Sequence, residues 1–487
     1  MEDNPIMISE KLTRKVFKTI NQHKAGGPDG ISGKVLKTCF RELAYIFTTI
    51  YNKSLQQRTV PSKWKTSEII PVPKKPHIKE MNDLRPVALT PIPMKCFERL
   101  ILPYIKTPMS QHQDNLQFAY RGERSVEDAI VTFLDKIYRH LDKPRTYCRI
   151  LYVDFSSAFN TIRSDIILRR LQAMGVHPNI VDWISSFLGN RTQYVRVNRT
   201  CSSTLITNVG APQGCVLSPV LFTAYTDDCR AYDNATAIIK YADDTAILGL
   251  ISNSDDETTY DDETKRFSKW CEENHLHLNV KKTKEMVIDF RNKKTPLEPL
   301  FIKGEEVERV STYRYLGITI TDRLDWSEHS AILIAKLHSR MYFLRQLQKF
   351  EVNNTLLALF YKTMVESIIS FCVIGWAGNL QRREVEKVNR IIRRATKITG
   401  EEQPPLDSIY TAVATKKLAC LPEDHPLHCQ IVRSQRHWFR IRHLHCRTER
   451  YRSSFLPSAI RLVSSMKPFD IQLMMYRQEV KKMKRRL

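Results

Sequence analysis

Two stretches of this chain place a tyrosine, one further residue and two aspartates in a row: Tyr225-Thr226-Asp227-Asp228 and Tyr241-Ala242-Asp243-Asp244. Adjacent carboxylates repel, so a chain that keeps such a pair near apolar surface usually supplies a cation there. The first pair falls near the end of a helical reading, SPVLFTAYTDDC, where exposed acids are ordinary. The second falls between two apolar runs, AIIKY and TAILGL, which would hold its carboxylates on a turn above a buried sheet. A hairpin turn favours Asp for its own sake, but this pair has company. Asp154 ends another β-branched and aromatic run, CRILYVDF. Neighbouring strands would bring Asp154 and Asp243 to one sheet edge. Carboxylates so placed suit Mg²⁺, which takes oxygen ligands and shares them with substrate phosphates. Two such ions, about 4 Å apart, activate a hydroxyl and stabilise a leaving oxygen. The chemistry indicated is metal-dependent phosphoryl or nucleotidyl transfer, with polymerisation as its leading form.

The totals agree with a polyanionic partner. The chain has 487 residues, enough for about three domain-sized units. Its 76 Lys+Arg against 52 Asp+Glu leave a net charge of +24, and nucleic acid is the commonest counterpart of such an excess. The eleven cysteines are scattered without a C-x-x-C, which reads as reduced thiols in an intracellular protein. The N-terminus, MEDNPIMISEKLTRK, lacks the basic-then-apolar order of a signal peptide. Lys362 and Glu366 interrupt the most apolar stretch (356–378), which argues against a membrane span.

The elements that must carry these residues can be read in order. Residues 10–57 read as helix, broken at KAGGPDGIS (24–32), and residues 58–95 as short Pro-punctuated strands. Residues 125–141 return to helical periodicity. The strand 148–155 follows, then an amphipathic helical region to about 188, a hairpin-like pair (TQYVRVN and STLITNVG) and the helical segment holding the first aspartate pair. The hairpin of the second pair comes next, then a helix at 256–276, the strand EMVIDF (285–290) and a hairpin at 309–321. Strand, helix, hairpin, helix, strand is the order of a ferredoxin-like split β-α-β unit. Residues 326–399 read as a helical bundle, and the densest basic block begins near 381.

At this point the chain resembles the reverse transcriptases of non-LTR (LINE-type, jockey-like) retrotransposons. KAGGPDGISGKVLK (24–37) is similar to the family's opening motif. WKTSEIIPVPKKP, NDLRPVALTPIPMKCFERLI and QFAYRGERSVEDAI are similar to its fingers motifs. VDFSSAFNTI, APQGCVLSP and KYADDTAIL resemble the three central palm motifs, and LHLNVKKTKEMVIDF and YRYLGITI the two that follow. HPL (425–427) and RYRSSFLPSAIRLV (450–463) resemble the C-terminal end of jockey-like elements.

The resemblance implies an α+β, right-hand polymerase. Its parts would be an N-terminal extension and fingers (1–145), a palm (146–325), a helical thumb (326–400) and a basic nucleic-acid-binding tail (401–487). It implies RNA-templated DNA synthesis from a primer 3′-hydroxyl, with dNTPs, an RNA template and a DNA primer or target as partners. Asp154 and Asp243 would ligate two Mg²⁺ ions, completed by Asp244 and the backbone carbonyl of Phe155. Phe159 would stand at the steric gate against a ribose 2′-hydroxyl. Gln213 and Gly214 would contact the nucleotide or template. Arg85 and Lys74 would grip the triphosphate, and Lys282 would protonate the departing pyrophosphate. Asn160 stands where Asp is commoner and Ala211 where Ser or Val is, neither at a metal ligand.

The tail holds His425, His428, Cys429, His437, His443, His445 and Cys446, but without the tight paired spacing of a zinc site. Its Arg436, Trp438, Arg440 and Arg442 interleave charge with an aromatic, as RNA-binding segments do. Family members also carry an N-terminal endonuclease. The match here begins almost at Met1, so the expectation is a truncated copy or fragment lacking that domain. Target-primed synthesis would suit the nucleus, which the sequence does not itself determine. Three rivals are a nucleotidyl cyclase, which would not need the Pro-Gln-Gly motif, an RNA-templated RNA polymerase, which would want a small residue at 159, and a catalytically retired RNA-binding remnant.

Overall fold

A computed structural model of the protein describes residues 6–294, 296–432 and 441–466. Its contacts divide the chain into two units, each assembled from separated stretches. One comprises residues up to 114, 155–230 and 267–279; the other comprises 115–154, 231–266 and the residues from 280 onward. The chain passes from the second unit into the first at the Asp154–Phe155 peptide bond.

The second unit is built on a sheet whose central strand, Tyr147–Val153, is buried at every position. An uninterrupted apolar run is what burial on both faces requires. It pairs antiparallel with Asp244–Ile251 on one side and Lys284–Asp289 on the other. Thr236–Tyr241 lies beyond the first neighbour, and the short Glu308–Arg309 runs parallel beyond the second. In chain order the four main strands therefore lie fourth, first, third, second, the arrangement of a ferredoxin-like sheet.

Helix Val126–Leu141 opens with a capping box, Ser125 and Asp128 exchanging hydrogen bonds, and packs on the strands at 147–153 and 236–241. The helices Ser327–Lys349, Arg382–Thr399, Leu406–Ala419 and Phe455–Ser465 share one hydrophobic cluster with this sheet, through Leu337, Val388, Leu418 and Ile460. The described part of the segment expected as a basic tail thus contributes core, not only charge. It grips helix Val126–Leu141 at both ends. Asp128 receives Lys417 at 2.7 Å and His425 at 3.0 Å, and Asp142 accepts the backbone N–H groups of Arg447 and Thr448. Arg436, His437, Trp438 and Arg440 lie outside the described residues. The stretch Asn354–Asn379 is long and apolar enough to cross a membrane by composition, and Leu357, Tyr361, Val365, Ile369 and Trp376 within it are buried in the same cluster.

One buried charge sits inside the sheet. Arg149, on the central strand, is 2% exposed and bonds Glu285 at 2.8 Å, with Asp261 at 3.2 Å and Glu257 at 3.4 Å. Its guanidinium lies over the Tyr260 ring, which in turn occupies the space a Cβ on Gly249 would need. Removing one partner of such a pair leaves an uncompensated buried charge. Arg149→Met is expected to destabilise the protein by about 3 kcal/mol. Arg149→Met with Glu285→Met is expected to recover part of that loss in urea unfolding. Equal midpoints for wild type and the single variant would show that the network contributes nothing.

The first unit has its own core, a chain of aromatic contacts linking Phe17, Phe47, Tyr51, Trp64, Phe97 and Trp183. Its sheet centres on Ser67–Pro73, antiparallel to Leu84–Leu89 and parallel to Arg191–Val197. The helices Phe40–Gln56, Ile92–Met109 and Pro178–Leu188 supply most of that aromatic wall.

Candidate active site

The sheet register brings the catalytic candidates of the second unit together. Val153 pairs with Thr245 and Tyr152 with Lys284, so the next residue, Asp154, comes level with Asp244 on one side and Lys282 on the other. Lys282 Nζ lies 4.0 Å from Asp154 Oδ2, and the Asp154 N–H donates to Thr283 Oγ1 at 3.3 Å. Tyr241 pairs with Asp244, which leaves Ala242–Asp243 as a two-residue hairpin turn. Ala242 holds φ at +58°, a strained conformation for a residue with a Cβ, costing roughly 1 kcal/mol. That turn lifts Asp243 and Asp244 to the surface at the sheet's end.

The carboxylates of Asp154, Asp243 and Asp244 lie close enough to perturb one another. Surrounding protein strips hydration from the Asp244 carboxyl even though its side chain reaches solvent, and the Asp243 and Asp154 carboxylates add to this, pushing it up to about 6. Repulsion of this kind is what a divalent ion relieves. Among the described residues no three His, Cys, Asp or Glu side chains form a closed metal-binding group. An open set of two or three carboxylates is nonetheless the donor set that Mg²⁺ uses when substrate phosphates complete its shell. The residues present fit that ion. In the C-terminal segment the His425 imidazole is committed to Asp128, and the Cys429 thiol donates to the Pro426 carbonyl.

Two tyrosines join the site that the aspartate spacing does not announce. Burial raises the Tyr313 hydroxyl, reinforced by Asp244 and Asp154, and its ring stacks on Tyr152 at 4.0 Å. Burial likewise raises Tyr120, with Asp243 contributing. The signal for Tyr313 is the alternation in the strand Thr312–Tyr315, which puts it on the opposite face from Arg314.

The first aspartate pair is structural. Helix Ser218–Tyr225 ends just before it. Asp227 is buried, accepts the Asp114 N–H at 2.8 Å and pairs with Arg230 at 2.6 Å. Asp228 pairs with Arg170 at 2.8 Å and accepts from Trp270 Nε1 at 3.2 Å. Arginines, not a metal, balance these charges.

The remaining candidates lie in the first unit. Phe159 is half-buried, its ring stacked on Phe222 at 4.6 Å, and its carbonyl accepts the Ala211 N–H at 2.9 Å. Phe155 forms a bridge with Leu278. Gln213 donates its side-chain amide to Asn160 Oδ1 at 3.3 Å, and its carbonyl accepts the Ala88 N–H at 2.8 Å. Gly214 has φ +117°, and a Cβ there would stand 2.7 Å from the Ala88 carbonyl oxygen, so only glycine fits. Pro86, Ala88, Asn160, Gln193, Ala211 and Gln213 help line a cavity of about 360 Å³. Arg85 is exposed on the strand Leu84–Leu89, opposite Val72. Lys74 follows the strand Ser67–Pro73, and its N–H donates to the Asp83 carbonyl at 2.8 Å. Neighbouring Lys75 is bonded to Asp83 at 2.7 Å and holds that carboxyl down at about 2.

Comparison with known proteins identifies what the chain is similar to. The family model for reverse transcriptase (RNA-dependent DNA polymerase) matches residues 72–320. A short match, to the N-terminal region of alkylated DNA repair protein alkB homolog 8, covers residues 326–367 and carries no argument. The chain is 27% identical over 368 residues to the probable RNA-directed DNA polymerase from transposon BS of Drosophila melanogaster, covering 73% of this chain and 40% of the relative. It is 25% identical over 365 residues to the corresponding protein of transposon X-element, covering 72% and 39%, in the same organism. It is 25% identical over 320 residues to the RNA-directed DNA polymerase from mobile element jockey, also of Drosophila melanogaster, covering 63% and 34%. The chain thus spans about two fifths of the length of the first of these curated relatives. With the family model covering residues 72–320, from the end of the strand before Lys74 to the hairpin that carries Tyr313, the chain belongs to the reverse transcriptase family.

Proposed function

We propose that this chain is the RNA-directed DNA polymerase of a non-LTR retrotransposon, extending a primer 3′-hydroxyl with dNTPs on an RNA template. The observation that carries the reading is the register that sets Asp154 level with Asp244 beside the Asp243 turn, in a chain of this family. Fingers, palm, thumb and basic segment, with the boundaries given above, are the functional division that this reading places on the chain.

Bound Mg²⁺ ions would supply Lewis acidity at the attacking hydroxyl and the leaving pyrophosphate oxygen. Asp154, Asp243 and Asp244, with the Phe155 carbonyl, would hold them. Arg85 and Lys74 bind triphosphate oxygens, the guanidinium by a fork and the ammonium as a point charge. Lys282, 70% exposed and 4.0 Å from Asp154, would give a proton to the departing pyrophosphate. Gln213 and Gly214 present a backbone surface that a base pair can approach closely, and Phe159 excludes a 2′-hydroxyl. The net charge of +24 holds the template through phosphate contacts, so RNA affinity falls steeply with salt.

Purified protein with Mg²⁺ is expected to extend an annealed DNA primer on an RNA template with dNTPs and far less with rNTPs. Extension with rNTPs alone would indicate an RNA polymerase. Tight RNA binding without extension of any primer would indicate a retired remnant and overturn the reading.

A further inference from the structure

The loop that carries Gln213 and Gly214 is anchored at nearly every residue from 210 to 217. The N–H groups of Gly210 and Ala211 donate to the carbonyls of Ile162 and Phe159. The Pro212 carbonyl accepts from Ser218 Oγ, and the Gln213 carbonyl from the Ala88 N–H. The last two anchors meet on a single oxygen: Val216 N–H donates to Glu98 Oε2 at 2.7 Å, and Leu217 N–H to the same atom at 2.9 Å. Glu98 sits on the helix Ile92–Met109 and is completely buried. Its other oxygen, Oε1, is buried with no hydrogen-bond partner among the described residues.

A buried carboxylate used in this way is unusual, since ionising it in place costs hydration that two N–H groups only partly return. A neutral side chain would satisfy the same donors. The helix that follows, Ser218–Tyr225, has no side-chain cap of its own, so Glu98 acts as an external cap at its start. We propose that Glu98 is a positioning residue for the nucleotide site, a buried carboxylate whose charge state sets how firmly the Gln213–Gly214 loop is held. The proposal rests on the polymerase reading above.

The groups facing Glu98 support it. On its own helix are Lys95 and Cys96; Arg191 faces it from the strand Arg191–Val197, and Cys215 from the loop itself. Arg191 is itself buried and hydrogen-bonded to the Phe187 carbonyl and Ser67 Oγ, so it favours the carboxylate without forming a direct pair. Burial dominates and pushes the Glu98 carboxyl up to about 7. The charged form fills only as pH rises through neutrality, and because burial disfavours it more than the two N–H groups favour it, ionisation works against the anchored arrangement. The loop is held more firmly on the acid side, where Glu98 is neutral.

Three forms are to be compared: wild type, Glu98→Gln, which keeps an acceptor but not the charge, and Glu98→Ala, which keeps neither. Steady-state single-nucleotide incorporation at saturating primer–template gives KM for dNTP and kcat separately. Glu98→Ala is expected to raise the dNTP KM about tenfold while the primer–template Kd stays within about twofold. Wild-type KM is expected to rise severalfold between about pH 6 and pH 8, and Glu98→Gln to keep a flat KM profile near the wild-type value at about pH 6. Should Glu98→Ala fail to fold, the wild-type and Gln profiles decide alone. Identical pH profiles of KM in those two, or a loss in Glu98→Ala confined to kcat or to primer–template binding, would overturn the proposal. Wild-type protein that incorporates no nucleotide would sink the polymerase reading instead, and is distinguished by that alone.

Discussion

Asp243→Asn is expected to abolish primer extension while leaving RNA binding within about twofold of wild type. Asp243 is exposed at the tip of a two-residue turn, and Asn keeps its size and its turn propensity, so the fold has no reason to change. What changes is charge. Asn cannot serve as an anionic ligand, and the site loses one of three carboxylates; burial, with repulsion from Asp243 and Asp154 added, holds Asp244 at about 6. A fall in kcat on the order of a thousandfold or more is the expected scale for losing a metal ligand's charge. RNA affinity rests on the excess of 24 positive charges and is indifferent to one carboxylate. The internal control is the other aspartate pair. Asp228→Asn removes a partner of Arg170 and is expected to leave extension within about threefold of wild type. Comparable polymerisation by Asp243→Asn, or equal loss in both variants, would show that the second pair is no catalytic centre.

The contrast between the two pairs shows how far the sequence could be read. Asp154, Asp243 and Asp244 were legible because each stands where an apolar strand run stops, and the element order already implied that those strands are neighbours. The structural role of Asp227 and Asp228 was legible only in part. Their helix-end position could be seen, but Arg170, Arg230 and Trp270 reach them through tertiary packing that no spacing encodes. Lys282 shows the same limit, because its approach to Asp154 depends on the register of the strand Lys284–Asp289. Helix Ile92–Met109 hides behind Pro93, Pro103 and Pro108, so Glu98 gave no signal as a loop anchor. The C-terminal segment misleads by composition: its basic residues mark the surface, while Asp128 and Asp142 grip it from a helix some three hundred residues earlier.

Phe159→Ala is expected to lower the preference for dNTPs over rNTPs by roughly 10–100-fold, with dNTP incorporation itself falling less. The packing of the ring limits its freedom to move aside. It is stacked on Phe222, itself fully buried, at 4.6 Å and 27°, and its own backbone carbonyl is tied to Ala211 at the start of the Gln213 loop. A rigid apolar face discriminates by exclusion, and its removal leaves space where a 2′-hydroxyl finds no clash and no required partner. The alternative is that Phe159 only covers Phe222, a role its partial burial would also satisfy. The two are separable. Loss of a half-buried ring from a stacked pair costs about 1–2 kcal/mol in either case, so stability does not decide between them. Sugar selectivity does. Phe159→Tyr keeps the ring and its stack and is expected to keep dNTP preference near wild type, whereas Phe159→Ala loses it. Unchanged selectivity in Phe159→Ala, measured by single-nucleotide incorporation of matched dNTP and rNTP, would return the residue to the core and leave discrimination to some other group.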